Sequence, residues 1–293
     1  MTKLFQTLPF AFMLAASVAL GWRPLVSTWT LALSREAYTH ILLILPLSCA
    51  FVYLERKALP SPPRRSVVAG SAVLALVLLL VGLARFGGRG WPQDIVLSSS
   101  MLALVTWWIG CTVFYFGIRA FQVMLFPLCF LFWLVPIPSI ALDEIVHFFQ
   151  HQSAFAARVL FMVAGVPVAQ DGIMLSIPGL DIEVAQECSS IRSSLMLIVT
   201  TMVLAHLFLR SWWRKALLIA AAVPLAAMKN GLRIFVIAEL GTRVDPGFLD
   251  GDLHHHGGIV FFAISLVVMA TLLWGVRRTE STRSRGPRAA SLL

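Results

Sequence analysis

Cys188 lies at a boundary where a polar segment meets an apolar run. Two later boundaries of the same kind carry Asn230 with Arg233 and, before the last apolar run, three consecutive histidines. These boundaries would bring a thiol, a guanidinium and an imidazole together at one membrane face. Such a set of groups is suited to nucleophilic attack on a peptide carbonyl. The pattern therefore predicts an enzyme with a cysteine nucleophile.

The role expected of each group follows from its type and spacing. Cys188 is predicted in the first turn of a helix, whose free N–H groups stabilise a thiolate, although the anion Glu187 opposes this effect. Asn230 and Arg233 are three residues apart and share one helical face. There they stabilise a thiolate or the oxyanion of a tetrahedral intermediate. Lys229, on a neighbouring face, is a further candidate for this role.

The three histidines are candidates for proton transfer, as a base toward the thiol and an acid toward the leaving amine. Adjacent residues cannot all face one site, so at most one or two of them take part. We favour His254, because Gly258 follows it four residues later. His255 and His256, together with Ser189, are predicted to be supporting residues.

The same residues allow other interpretations. In one, Cys188 is a structural cysteine, and Arg233 pairs with an acid such as Glu239 or extends to the surface. In another, the protein is a transporter with a divalent-metal site. That site would combine the three histidines with a helical stripe formed by Asp143, His147 and His151. A third interpretation is a non-enzymatic subunit of a polysaccharide export system.

The composition excludes an ordinary soluble domain. Apolar residues make up 59% of the 293 residues and charged residues 13%, whereas soluble domains carry about 25% charged residues. The apolar runs reach about 20 residues, enough to cross a bilayer. The basic residues behind the net charge of +9 lie in short loops and a C-terminal tail. This is the positive-inside pattern of membrane proteins, and it argues against a nucleic-acid partner.

We predict an all-α integral membrane protein, a bundle of about eight transmembrane helices with both termini in the cytoplasm. The spans are expected at roughly 5–21, 38–54, 67–84, 96–116, 120–137, 189–209, 216–240 and 257–276. With this number, all basic loops share the cytoplasmic side, and most acidic residues fall on the other side.

The connections expected on the outer face are 22–37, 85–95, 138–188 and 241–256. Residues 140–164 are apolar enough to span, but a further span would move the later basic loops outside, so we predict an interfacial or re-entrant helix. Residues 171–186 alternate apolar and polar side chains around Pro178-Gly179, which predicts a short extracytoplasmic β-hairpin with a type II turn.

Taken in order, these motifs resemble those of the exosortase/archaeosortase family of multi-span thiol transpeptidases. The shared residues are Pro136-Ile137-Pro138, Gly165-Val166-Pro167-Val168, Gly172, Val184 through Ser193, Asn230-x-x-Arg233-Ile234, a histidine, Gly258 and Phe262. The chain departs from the family at Ser190, where glycine usually follows Cys-Ser, and in its histidine triplet. The resemblance implies a single transmembrane domain over 1–276, with its catalytic part at 130–265, followed by a basic cytoplasmic tail at 277–293.

The resemblance also implies a function. A catalytic cysteine, arginine and histidine map by motif to Cys188, Arg233 and His254, and this thiol mechanism needs no cofactor and no metal. The expected activity is that of a cysteine protease or transpeptidase in the plasma (inner) membrane. Its partners would be exported proteins with a C-terminal sorting signal of the PEP-CTERM type: a motif such as Pro-Glu-Pro, a transmembrane helix and a basic cluster. Cleavage on the outer face would be followed by transfer to water or to an acceptor linked to exopolysaccharide or lipid.

Overall fold

The computed structural model describes residues 2–60, 65–87, 90–184, 191–249 and 258–284. The chain divides into two compact units, Met1–Leu142 and Asp143–Leu293. Within the described ranges, long helices dominate both units and one small sheet belongs to the second. The prediction of an all-α membrane protein is therefore confirmed.

The described residues of the first unit form six helices. They are α1 (Thr2–Leu20), α2 (Trp22–Ser34), α3 (Ile41–Glu55), α4 (Val67–Gly87), α5 (Gln93–Val123) and α6 (Leu125–Phe130), with 3-10 turns at Glu36–Tyr38, Arg56–Ala58 and Leu131–Leu134. The connection predicted at 22–37 is mostly helical, because α2 occupies it from Trp22 to Ser34. Its hydroxyl groups bond to helix carbonyls: Thr30 donates to the Ser27 carbonyl at 3.0 Å and Ser34 to the Leu31 carbonyl at 3.3 Å.

The predicted division between spans at 96–116 and 120–137 coincides with a break in α5 at Gly117, whose φ of 84° and ψ of 171° are not helical. Helical backbone resumes after this residue and ends at Val123. Glycine adopts such a positive φ without the steric cost of a Cβ. The stretch 120–137 consequently contains the end of α5, the short α6 and a 3-10 turn, and not one continuous span.

The described part of the chain contains five to seven candidate membrane spans. Five helices are long and apolar enough to cross a membrane, and up to seven crossings result if each of two bent helix pairs counts as one. The five are Glu36–Ala58, Gln93–Val123, Ile191–Phe208, Trp212–Arg243 and Gly258–Glu280. A multi-span protein is thus confirmed, whereas the count of about eight is not.

Polar contacts fix the point where α7 (Ser139–Val163) begins. Asp94 Oδ2 accepts hydrogen bonds from the Ser139 backbone N–H at 2.7 Å and from its hydroxyl at 2.6 Å. The first N–H groups of a helix have no partner inside it, so a carboxylate there is stabilising. Ser98 Oγ donates to the Pro136 carbonyl at 2.7 Å, which anchors the preceding segment. The predicted helix over 140–164 is confirmed, and it begins directly after Pro138.

The described residues of the second unit form most of α7, a sheet and three further helices. The elements after α7 are β1 (Ala169–Asp171), β2 (Met174–Ile177), β3 (Leu180–Glu183), α8 (Ile191–Phe208), α9 (Trp212–Arg243), a 3-10 turn at Pro246–Phe248, and α10 (Gly258–Ser284). Helix α10 continues past residue 276 into the segment predicted to be a cytoplasmic tail.

The sheet confirms the predicted hairpin and adds one strand to it. Strands β2 and β3 pair antiparallel around Pro178-Gly179, and the φ of 86° at Gly179 suits the third residue of a type II turn. Strand β1 pairs with β2 on its other side. Its three residues are too few to show an alternating pattern, which is why the sequence did not reveal it.

Candidate active site

Two apolar clusters hold the centre of the second unit together. The sheet-side cluster joins α7, the sheet and α9, and its buried members are Ala154, Ala157, Phe161, Leu175, Ile177, Val184, Ile234 and Ala238. The helix-side cluster joins α7, α8 and α9, and its buried members are Phe149, Leu197, Ala226 and Ala227. Close packing of this kind holds helices together in a membrane, where exclusion of water contributes little.

Polar side chains occupy the interval between the two clusters on α9. Residues 226–227 belong to the helix-side cluster and Ile234 to the sheet-side cluster. Lys229, Asn230 and Arg233 lie between them. The interval from residue 227 to residue 234 is about two helical turns, roughly 10 Å long at 1.5 Å per residue. The polar groups of α9 therefore lie between the helix-side cluster and the sheet-side cluster.

Helix α7 repeats this arrangement. Phe149 belongs to the helix-side cluster and Ala154 to the sheet-side cluster, and Gln150 and Ser153 occupy the interval. Helix α8 adds Ser193 and Ser194 near its start. We call this set of buried or half-buried residues the polar layer: Gln150, Ser153, Ser193, Ser194, Lys229, Asn230 and Arg233.

Two of the predicted site residues, Asn230 and Arg233, are deeply buried in the polar layer. Asn230 is 0% exposed and Arg233 is 9% exposed, so the guanidinium does not extend to the surface. Glu239, the acid considered as its partner, forms an ion pair with Arg243, whose Nε lies 2.8 Å from Glu239 Oε2. A buried cation in a membrane helix is costly and is usually paired or functional.

Lys229 connects two helices of the layer. It is buried, and its amine donates a hydrogen bond to Ser193 Oγ on α8. It shares a helical face with Arg233, one turn further along α9. The sequence had suggested a neighbouring face and a shared role for Lys229. In the structure it belongs to the layer itself and fixes α8 against α9.

Gln150 is a buried residue that the sequence analysis missed. Its side chain is 3% exposed, and Nε2 donates to the Val184 carbonyl at 2.8 Å. His147 and His151, on a neighbouring stripe of the same helix, were the candidates for a metal site, yet both histidines are exposed. No sequence signal identifies Gln150, because its partner is 34 residues away along the chain.

The layer has capacity for further hydrogen bonds. Gln150 Oε1, Ser153 Oγ and Ser194 Oγ are buried and make no hydrogen bond within the described parts of the chain. Buried polar atoms normally have partners, and an unsatisfied one costs about 1–3 kcal/mol. Water molecules or a bound peptide backbone would satisfy these oxygens.

The remaining predicted site residues lie outside the described residues. They are Cys188, Ser189, His254, His255 and His256. Described residues that flank these two segments contact the polar layer or the helix-side cluster. Val184 binds Gln150 before the first segment, and after the second segment Phe262 of α10 packs against the helix-side cluster.

The described residues do not assemble the metal site considered above. Within the described ranges, no group of three His, Cys, Asp or Glu side chains is arranged to hold a metal ion. Asp143, His147 and His151 are exposed along α7, and His151 Nδ1 lies 2.9 Å from the His147 carbonyl. The histidines 254–256, which that interpretation also required, are outside the described residues.

The fold and the buried polar layer define a multi-span helical membrane protein with a cationic site inside its helix bundle. Residues 29–271 match the family model described as Transmembrane exosortase (Exosortase_EpsH). Because this match covers most of the chain, the protein belongs to the transmembrane exosortase family. At the level of the family, it is a membrane transpeptidase. No curated protein and no solved structure matches the chain significantly.

Proposed function

We propose that this exosortase is a membrane-embedded cysteine protease and transpeptidase that cleaves the C-terminal sorting signals of exported proteins. Cys188 is the nucleophile, and His254 is the acid and base. Arg233 with Asn230 stabilises the developing negative charge. The observation that carries the proposal is the burial of Arg233 and Asn230 on one face of α9, because a desolvated cation and amide stabilise an oxyanion strongly.

The proposed reaction is a two-step acyl transfer. Cys188 Sγ attacks the carbonyl carbon of the scissile peptide while the thiol proton passes to His254. The C–N bond then breaks, and His254 returns the proton to the leaving amine, which departs with the signal helix. The exported protein remains attached as a thioester. Water or an acceptor amine attacks this thioester and restores the thiol.

The distribution of charge along α9 supports a reaction on the outer face. Arg214 and Lys215 lie near the start of α9, next to Arg210, and such basic clusters mark the cytoplasmic side. The 19 residues from Arg214 to Arg233 correspond to roughly 29 Å of helix, close to the thickness of a bilayer core. The polar layer therefore belongs near the opposite leaflet, with both termini in the cytoplasm of a plasma (inner) membrane.

The partners follow from this reaction. The substrates are exported proteins with a PEP-CTERM-like signal, whose apolar helix shares the lipid bilayer with the enzyme. The acceptor is water, or an amine linked to exopolysaccharide or lipid. Ser189, His255 and His256 support the catalytic residues.

A reporter protein tests the proposal. It is an exported soluble domain that ends in Pro-Glu-Pro, an apolar helix and an arginine cluster, and it is co-expressed with the enzyme. We expect Cys188→Ala and His254→Ala to abolish cleavage, which is followed by the loss of the signal on immunoblots. Cys129→Ala and His151→Ala are matched controls, because both residues lie outside the proposed site, and they retain wild-type cleavage. Full cleavage by membrane-inserted Cys188→Ala would reject the mechanism.

A further inference from the structure

Helix α7 contacts both sides of the proposed site. On one side, Gln150 holds the Val184 carbonyl at the end of the sheet at 2.8 Å. On the other side, α7 packs without a gap against α9 at Gly231. A Cβ placed on Gly231 would lie 2.6 Å from Ala156 Cβ and 2.8 Å from the Ala157 backbone nitrogen. Gly231 directly follows Asn230, so α7 links the end of β3 to the helix that carries Arg233.

An amide at position 150 is not explained by packing. Gln150 lies between Phe149 and Ala154, which belong to the two apolar clusters, and an apolar side chain of the same volume would fill that space. The amide bonds to one carbonyl and leaves its own Oε1 buried without a partner among the described residues. Val184 is 0% exposed, so its buried carbonyl requires a donor, and an apolar residue at position 150 would remove the one that Gln150 supplies.

We infer that Gln150 is a positioning residue for the nucleophile of the reaction proposed above. Val184 is four residues before Cys188 in the chain. The hydrogen bond from Gln150 fixes this point to α7, and the contact at Gly231 fixes α7 to α9. The two contacts together set the distance between the strand that leads to the thiol and the cation that stabilises the thiolate and the oxyanion. The inference rests on the proposed function, but its test separates the two.

The test compares Gln150→Met with Gln170→Met in the full-length purified enzyme. Methionine has nearly the volume of glutamine and cannot donate the hydrogen bond. Gln170 is a matched control, because its Nε2 donates to the Gly172 carbonyl at 3.0 Å on the exposed part of the sheet. Two quantities are measured: kcat and KM for cleavage of the sorting-signal reporter, and the rate at which iodoacetamide alkylates Cys188, followed by mass spectrometry of the Cys188 peptide.

We expect Gln150→Met to lower kcat by up to about 100-fold, the effect of misplacing a reacting group by about 1 Å, with KM within about twofold of wild type. Alkylation of Cys188 should slow in parallel, because the proposed mechanism requires the thiol to be held near the cation that favours its thiolate. Gln170→Met should match the wild type in both measurements. A Gln150→Met enzyme with wild-type kcat and wild-type alkylation would overturn the inference.

A second variant covers the case in which Gln150→Met does not fold. Gln150→Leu has an apolar side chain that cannot donate to Val184 in any protonation state, so we expect the same loss of kcat at unchanged KM. Wild-type kcat in this variant would overturn the inference in the same way. Failure of the proposed function is distinguishable, because it would appear as cleavage by Cys188→Ala whatever residue occupies position 150.

Discussion

Helix α9 carries two buried arginines, one near its start and one about two-thirds along it, and the two have different surroundings. Arg214 is 6% exposed and lies beside a carboxylate, with Nη1 3.7 Å from Glu280 Oε1. Arg233 is 9% exposed and lies in the polar layer with Asn230 and Lys229. The same residue type, buried to a similar degree on one helix, thus forms a structural ion pair at the first position and part of a candidate catalytic site at the second.

Glu280 shows why the first arginine is structural. Besides its contact with Arg214, this carboxylate accepts hydrogen bonds from the backbone N–H groups of Arg210 at 3.1 Å and Ser211 at 2.8 Å. Ser211 directly precedes α9, so Glu280 of α10 binds donors at the start of another helix. The contacts connect α8, α9 and α10 at one end of the bundle. Burial alone therefore does not identify a functional cation; its neighbours do.

The largest expected effect comes from Arg233. Replacing it by Met removes the cation while keeping an unbranched side chain. Cleavage of the reporter should fall about 100- to 1000-fold, the usual loss when one oxyanion donor is removed. The loss should appear in kcat per folded molecule, which reporter kinetics and thermal unfolding in detergent measure together. A normal cleavage rate would place Arg233 in the same class as Arg214.

The same substitution at Arg214 should lower the stability of the protein and leave its cleavage rate unchanged. Arg214→Met removes the cation that lies 3.7 Å from Glu280 and should cost about 1–3 kcal/mol of stability, less than for a fully buried pair because Glu280 is partly exposed. The kcat per folded molecule should remain at the wild-type level. Active-site titration together with thermal unfolding checks this expectation. A loss of kcat without a loss of stability would contradict the structural role.

Gly231→Ala tests the contact between α7 and α9. The new methyl group would overlap Ala156 and the backbone of Ala157, and overpacking of this kind typically costs about 1–3 kcal/mol. Because the helices must separate next to Asn230, kcat should fall as well. Gly275→Ala is a matched control, since a Cβ there meets no atom within 4 Å. Equal stability and kcat in the two variants would show that the contact is not tight.

The smallest effect is expected for Glu239→Gln. This change breaks an ion pair with Arg243, whose side chain is 62% exposed, and surface pairs four residues apart on a helix contribute about 0.3–0.5 kcal/mol. Cleavage should be unchanged. A large loss of cleavage would instead identify Glu239 as a functional partner of Arg233 and would revise the comparison of the two arginines.

The sequence predicts the helical membrane fold because long apolar runs and the loop charges depend only on local composition. The hairpin was predictable for a similar reason, since alternation around Pro178-Gly179 is a local pattern. The helix at 22–34 was not predicted, because α2 is less apolar than a typical span. The break at Gly117 falls at the predicted boundary, whereas the division of 120–137 into short helical pieces was not predicted, because this stretch is as apolar as one continuous span.

The candidate site was predictable only where its residues form a local pattern. Asn230 and Arg233 were identified because their spacing places them on one face of one helix. Gln150 and the bond between Lys229 and Ser193 depend on contacts between distant parts of the chain. The roles of Cys188 and His254 remain predictions from motif order and chemistry.

The most direct test of the account is to intercept the acyl-enzyme. Purified enzyme and reporter are incubated with hydroxylamine, which attacks thioesters, and the products are analysed by mass spectrometry. We predict that the exported fragment ends in a hydroxamate, and that its formation requires Cys188 and is lost in Cys188→Ala. A fragment that ends only in a free carboxylate, produced equally by wild type and Cys188→Ala, would contradict a thioester at Cys188.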